Sequence, residues 1–200
     1  SSDVCSSDLM LVYALNGDPL TVPQGAPLRL IRPGYYGVCN PKWLSEIHLQ
    51  EDRYLGNFQG RWYRSVVGVG GTGEDLDLNT QWIETEITRI HLKSSISRVK
   101  KAGNGYQIMG FVLNDGTPLR SVEVKIDDGP WQKATMDKAN TKYSWKLFSY
   151  NWEGATPGEH TIVSRVTDED GNVQPTVEEL KRKKTFLEDN AQFPRKVKIG

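Results

Sequence analysis

Cysteine is nearly missing from this chain: two occur in 200 residues, Cys5 and Cys39. A single pair cannot frame a fold, so a disulfide scaffold is excluded and cysteine usage does not report the compartment. Histidine is equally scarce. His48, His91 and His160 stand without HxH, HxxxH or HExxH spacing, so the residues supply no zinc site and the metal-ligand set is none. No GxSxG element is present, which removes the nucleophile turn of a hydrolase triad. No apolar run approaches the roughly 20 residues of a membrane-spanning helix, so no membrane span is expected. Charge of one sign is missing too, because 25 Lys plus Arg balance 25 Asp plus Glu. The basic footprint of a general nucleic-acid binder is therefore absent, and no nucleic-acid partner is expected.

What the chain has in quantity is glycine, 19 residues, and proline, 10, punctuating short runs of Val, Ile, Tyr and Trp. That mixture favours sheets with few long helices. In the second half, residues 106–112 alternate, Asp115-Gly116 turns, and residues 121–126, SVEVKI, alternate again. Asp127-Asp128-Gly129 turns once more before Trp131, and residues 143–148, Trp152 and residues 160–167 follow. Strands about 10 residues apart with turn signals between them predict an antiparallel β-sandwich of immunoglobulin type. Upstream, residues 12–15 and 20–22 predict short strands about the Asn16-Gly17-Asp18 turn. Residues 46–49 predict a further strand, and residues 82–99 alternate as a half-buried strand does. The run VGVGGTGEDL at residues 67–76 lacks the lysine and hydroxyl residue that end a phosphate loop, and reads as a crossover. Residues 177–184 are charged and helix-compatible, with Lys181, Arg182, Lys183 and Lys184 as a solvated face; residues 190–199 predict a last strand.

The densest chemistry lies in residues 24–47, QGAPLRLIRPGYYGVCNPKWLSEI. Gly34 and Gly37 let a ligand approach the backbone, and Pro33 and Pro41 stiffen the ends. Arg29, Arg32 and Lys42 bring positive charge to the same loop, which suits an anion held partly by main-chain N–H groups. Cys39 reads as a small loop residue; a thiolate ligand would need a lowered pKa, which the sequence does not show. The order GAPLRL, PG, G, then PKWL resembles the sulfite oxidase and sulfite dehydrogenase-like molybdopterin oxidoreductases. Their pattern is HG-x-P-hydrophobic-R followed by PG-x-x-G-x-x-x-x-KW-L. LVYALNGDPL at residues 11–20 lengthens the likeness. VEVKIDDGPWQKA, Trp145, Trp152 and SRVTDEDGNVQP resemble the family's dimerisation domain.

Carried over residue by residue, the resemblance implies cofactor contacts at Arg29, Asn40 and Lys42, with Gln24 standing where most members have histidine. Tyr63 lies about where the family has a tyrosine that hydrogen-bonds the oxyanion substrate, flanked by Arg61 and Arg64 as candidate anion partners. The family's substrate arginine from the tail has no match in register, because Arg182 and Arg195 both sit off it. The resemblance implies a mainly β chain: the partial α+β molybdopterin-binding domain over residues 10–99, then the immunoglobulin-like dimerisation domain over residues 100–200. Residues 1–9, SSDVCSSDL, have no apolar core and no leading charge, and read as a non-native leader. The implied cofactor is molybdenum-molybdopterin, with the cysteine ligand in an earlier segment, so this chain alone is expected to bind it weakly. Implied partners are sulfite or a related small oxyanion, a second copy through the second domain, and an electron acceptor such as a cytochrome. A periplasmic or exported location fits a bacterial member. Two alternatives stand beside this: an immunoglobulin-like binding or adhesion module without catalysis, and a same-fold molybdoenzyme acting on another oxyanion or a sulfoxide.

Overall fold

A computed structural model of the chain describes residues 9–69, 80–184 and 188–200. Residues 1–8 of the expected leader and residues 70–76 of the expected crossover lie outside the described residues. The chain forms two compact units: one runs to Ile90 and takes back Lys183–Glu188, the other comprises His91–Arg182 and Asp189–Gly200. Strands β1 (Met10–Val12), β2 (Ala14–Leu15), β3 (Asp18–Pro19), β4 (Arg29–Ile31), β5 (Arg64–Val69) and β6 (Gln81–Glu86) belong to the first unit. The second unit holds β7 (Lys93–Ala102), β8 (Gly105–Leu113), β9 (Leu119–Ile126), β10 (Gln132–Lys133), β11 (Thr135–Met136), β12 (Lys146–Trp152) and β13 (Gly158–Asp168). A short helix α1 (Val177–Leu180) follows, β14 (Lys183–Lys184) rejoins the first unit, and β15 (Arg195–Ile199) closes the second.

In the first unit β1 pairs antiparallel with β4, and β2 with β3 across Asn16-Gly17, whose φ values of 54° and 92° are those the turn requires. β14, β5 and β6 form a second small sheet. The tail strand is tied down from inside, because Lys183 Nζ lies 2.5 Å from the Glu188 carboxylate and Ser65 Oγ donates to it at 3.1 Å. Residues 46–49 form no strand. Ile47 and Leu49 are 62% and 98% exposed, so the alternation there has no core to face.

The second unit is a sandwich of two four-stranded antiparallel sheets, β10-β9-β13-β15 and β11-β12-β8-β7. Inward rows alternate with outward ones, as the sequence period predicts: Ile108 and Val112 from β8, Val122 and Val124 from β9, Ile162 and Val166 from β13. Each of these is at most 1% exposed, a burial that contributes about 1.5–3 kcal/mol per side chain. Phe148 and Trp152 from β12 complete the layer. Gly110 belongs to the same row for a steric reason, since a Cβ there meets Ser95 O at 2.4 Å and the Phe148 ring at 2.3 Å.

Residues 100–105, expected at the domain boundary, are a two-residue hairpin: Ala102 pairs with Gly105, and Gly103 takes φ 57°. A bulge between Ile96 and Arg98 breaks the period of β7, which hides residues 93–99 as part of the sandwich. One buried polar group also links both sheets to the tail. Gln174, 0% exposed, accepts from Ser94 N and Oγ at 2.9 and 2.6 Å through Oε1 and donates to Ala191 O at 2.9 Å through Nε2. The Ser94 and Ser164 hydroxyls lie 2.9 Å apart beside it.

A second polar clamp closes the far end of β13. His160 Nδ1 lies 2.7 Å from Asp127 Oδ2 and Nε2 lies 2.8 Å from Thr156 O, while the ring meets Trp152 edge-on at 4.9 Å. Two acceptors facing two ring nitrogens select the doubly protonated imidazolium. The hydrogen bond to Asp127 accordingly raises the His160 pKa above 6.5, and the same bond lowers that of Asp127 below 3.8. The raised histidine stabilises the fold fully below pH 6.5 and loses that contribution as pH rises through its folded pKa. The lowered aspartate acts above pH 3.8 and fades as pH falls through its own folded value. Thermal unfolding of wild type and His160→Gln should therefore differ most near about pH 5, with the gap shrinking toward about pH 9. A gap independent of pH contradicts the imidazolium assignment.

Candidate functional site

The loop rich in charge is organised by one short turn. Thr21 precedes a 3-10 helix, Val22–Gln24, and the Gln24 side chain accepts from Thr21 N and Oγ1 at 2.8 and 3.0 Å. Gly25 ends the helix at φ 110°, a left-handed conformation open to glycine. Val22 O accepts the closing backbone bond from Gly25 N at 3.0 Å, and all three helix carbonyls take side-chain donors from later in the chain. Val22 O accepts from Trp43 Nε1 at 2.8 Å, Pro23 O from Lys42 Nζ at 2.7 Å, and Gln24 O from Arg29 Nη1 at 3.0 Å. Backbone bonds run alongside, Leu30 N to Pro41 O at 3.0 Å and Leu44 N to Leu28 O at 2.8 Å.

Gln24, Arg29 and Lys42 are thus brought to one place, and two cations sit on adjacent carbonyls. Each keeps donors in reserve. The Arg29 Nε–H and the Arg32 Nε–H are both buried without an acceptor among the described residues, and exposed Lys42 has one described acceptor for its three protons. A buried donor left unmade costs about 1–3 kcal/mol, so an acceptor delivered to this turn is favoured. Arg32 also stacks its guanidinium 3.7 Å from the Tyr35 ring centroid.

Asn40 has a different job. Its Oδ1 accepts from Arg32 N at 2.5 Å, and its Nδ2 donates to Tyr36 O at 2.9 Å and Tyr35 O at 3.2 Å. The side chain holds the Pro33 to Cys39 bend in shape and reaches the turn only through it.

Tyr63 lies apart from these four. It follows a five-residue π-helix, Phe58–Trp62, and lines a cavity of about 210 Å³ with Cys39, Arg53, Tyr54, Arg64 and Glu86. None of Gln24, Arg29, Asn40 or Lys42 lines that cavity. Arg64 is already committed, its Nε 2.5 Å from Glu84 Oε1, and that hydrogen bond holds the Glu84 carboxyl below its usual range. Arg61 lies with its guanidinium 5.6 Å from the Trp62 ring centroid and is absent from the cavity lining. Arg53, donating to Gly60 O at 2.9 Å and lying 3.4 Å from Glu84, brings a half-exposed positive charge to the lining. Burial pushes the Cys39 thiol up from 9.0 despite Arg32 pulling it down, so it stands here as a thiol. Arg53 and Tyr54 were not legible as site residues, because both sit in a polar stretch without periodicity. In the structure Gly56 makes room for the Tyr54 ring, which an added Cβ would meet at 2.2 Å.

The arrangement defines a β-rich protein with a cationic, donor-rich turn next to a glycine that permits close approach. The family model described as oxidoreductase molybdopterin binding domain matches residues 1–58. Mitochondrial sulfite oxidase of Homo sapiens is 26% identical over 186 residues, covering 84% of this chain and 32% of that protein. Inducible NADH nitrate reductase 2 of Glycine max is 29% identical over 197 residues, covering 85% of this chain and 21% of that protein. The sulfane dehydrogenase SoxCD of Paracoccus pantotrophus shares the fold, with a TM-score of 0.75 at 24% identity over 96% of this chain and 49% of that one. The chain is similar to the sulfite oxidase-like molybdopterin oxidoreductases over part of their length. It spans about a third of the length of the mitochondrial sulfite oxidases it matches, 32% for the human protein.

Gly25 tests the turn directly. A Cβ there stands 2.8 Å from Lys42 Cβ and 3.1 Å from its Cα, whereas Gly17, also at positive φ, has nothing within 4 Å. Gly25→Ala should lower unfolding free energy by about 1–3 kcal/mol beyond the cost of Gly17→Ala, measured by denaturant midpoint. Equal costs contradict the packing of Lys42 on the turn.

Proposed function

We propose that this chain is the C-terminal part of a molybdenum-cofactor oxidoreductase that oxidises sulfite to sulfate. The observation that carries the proposal is the convergence of Arg29 and Lys42 on successive carbonyls, beside orphaned Nε–H donors of Arg29 and Arg32. That donor set fits the phosphate and polar ring edge of molybdopterin, because charge-assisted N–H bonds to phosphate are strong and directional. Gln24, Arg29 and Lys42 hold the group; Asn40 shapes the loop that presents Arg32. When bound, the cofactor supplies a two-electron oxidation at molybdenum.

The protein's own part is to orient and neutralise. Tyr63 offers a phenol to a substrate oxygen, and Arg53 offers charge at the rim of the same small cavity. Arg64 and Arg53 share the one Glu84 carboxylate, at 2.5 and 3.4 Å, so the cluster keeps a net positive charge, and Arg53 is the more exposed of the two for anion capture. The second unit, with its exposed Trp145 and Leu147 on one outer face, acts as the homodimerisation domain, and reducing equivalents pass to a partner such as a cytochrome. A second reading, nitrate or another oxyanion as substrate, is favoured by the nitrate reductase likeness, which matches the sulfite oxidase one in extent.

The test uses the chain joined to the cysteine-bearing upstream segment that the proposal requires. Wild type should copurify with about one molybdenum per chain, and Arg29→Gln with roughly tenfold less. Undiminished molybdenum in Arg29→Gln contradicts the cofactor role of the turn. The ratio of kcat/KM for sulfite over nitrate in the same preparation separates the two substrates.

A further inference from the structure

The sandwich contains a charged residue in a row built for apolar ones. β12 directs Lys146, Phe148 and Trp152 to the same side, and Lys146 is 8% exposed. Its stem fills the end of the layer, opposite Val112 on β8, and its ammonium ends at the mouth. Two oxygens meet it there: Asn114 Oδ1 at 2.9 Å and Lys142 O at 2.8 Å. Asn114 is itself buried and held by its own bond to Thr117 O at 2.6 Å. The third ammonium proton has no acceptor among the described residues.

Beyond the ammonium the sandwich opens into a cavity of about 570 Å³ whose walls include Pro118, Leu119 and Met136. A cavity of this size with apolar walls and one placed cation is the form of a small-molecule site. We propose that this cavity binds a medium-chain monocarboxylate, its carboxylate on Lys146 and its chain against Leu119 and Met136. One free proton on one buried ammonium matches one carboxylate oxygen, whereas a phosphate needs a wider donor set. Charge balance supports an anion. Burial lowers the Lys146 pKa and outweighs the opposing pull of Asp115, so the ammonium is under-compensated as it stands. Asp137, the carboxylate in the cavity lining, is exposed and accepts from Ala139 N at 2.9 Å, which leaves it screened by water. The site lies wholly within the second unit and shares no residue with the turn around Arg29 or the Tyr63 cavity.

The test is a titration of the full chain with sodium octanoate, followed by calorimetry and by the methyl signal of Met136, one of 3 methionines. The expected result is saturable one-site binding with a shifted Met136 methyl. 1-Octanol, which keeps the tail and loses the charge, and Lys146→Met should each weaken binding by about tenfold or more. Leu119→Trp fills the cavity without touching the amine network and should remove the shift, which keeps the test valid where Lys146→Met does not fold. Absence of saturable binding at millimolar octanoate, equal binding of octanol, or an undisturbed shift in Leu119→Trp overturns the proposal.

Discussion

Three successive carbonyls on a turn of three residues govern the first unit. Val22, Pro23 and Gln24 present oxygens to Trp43, Lys42 and Arg29, which donate to them in order. The captures bring together residues 5, 19 and 21 positions apart, so a segment with little apolar core acquires a fixed shape. They also concentrate positive charge where the backbone is close to glycine. Charge that serves only as a cap would be fully spent, yet Arg29 and Arg32 each keep a buried N–H without an acceptor among the described residues. The geometry therefore holds more donor capacity than the fold consumes.

Much of the second unit was legible in the residues themselves. SVEVKI, the Asp-Gly turns and the apolar alternation of β8 and β13 carry a period of two that a sandwich requires, and the strands fall where that period runs. The places that were hidden have physical causes. A bulge at Ile96 to Arg98 interrupts the alternation of β7, and Gln174, a polar residue in a loop-like run, gives no sign that it links two sheets to the tail. Buried polar networks rest on three-dimensional satisfaction of donors and acceptors, which linear patterns do not encode.

In the first unit the motif order was legible and the local structure less so. The residues of GAPLR and PKWL do meet, but the reason is carbonyl capture by their side chains, which spacing does not announce. Residues 46–49 alternate and yet form no strand, because alternation specifies a strand only where a core waits on one side. Asn40 matched a position of the family motif and acts here through three hydrogen bonds within its own loop. Tyr63 reached a cavity, and its neighbours there came from a polar stretch that sequence alone left blank.

The central claim is that the turn from Val22 to Arg29 grips the anionic end of a pterin cofactor. Anomalous diffraction at the molybdenum edge from crystals of the cofactor-loaded whole protein measures it most directly. The account predicts a cofactor phosphate oxygen at roughly 2.7–3.2 Å from Arg29 Nε or Lys42 Nζ. A cofactor bound elsewhere, with both side chains still resting only on the Gln24 and Pro23 carbonyls, would contradict it.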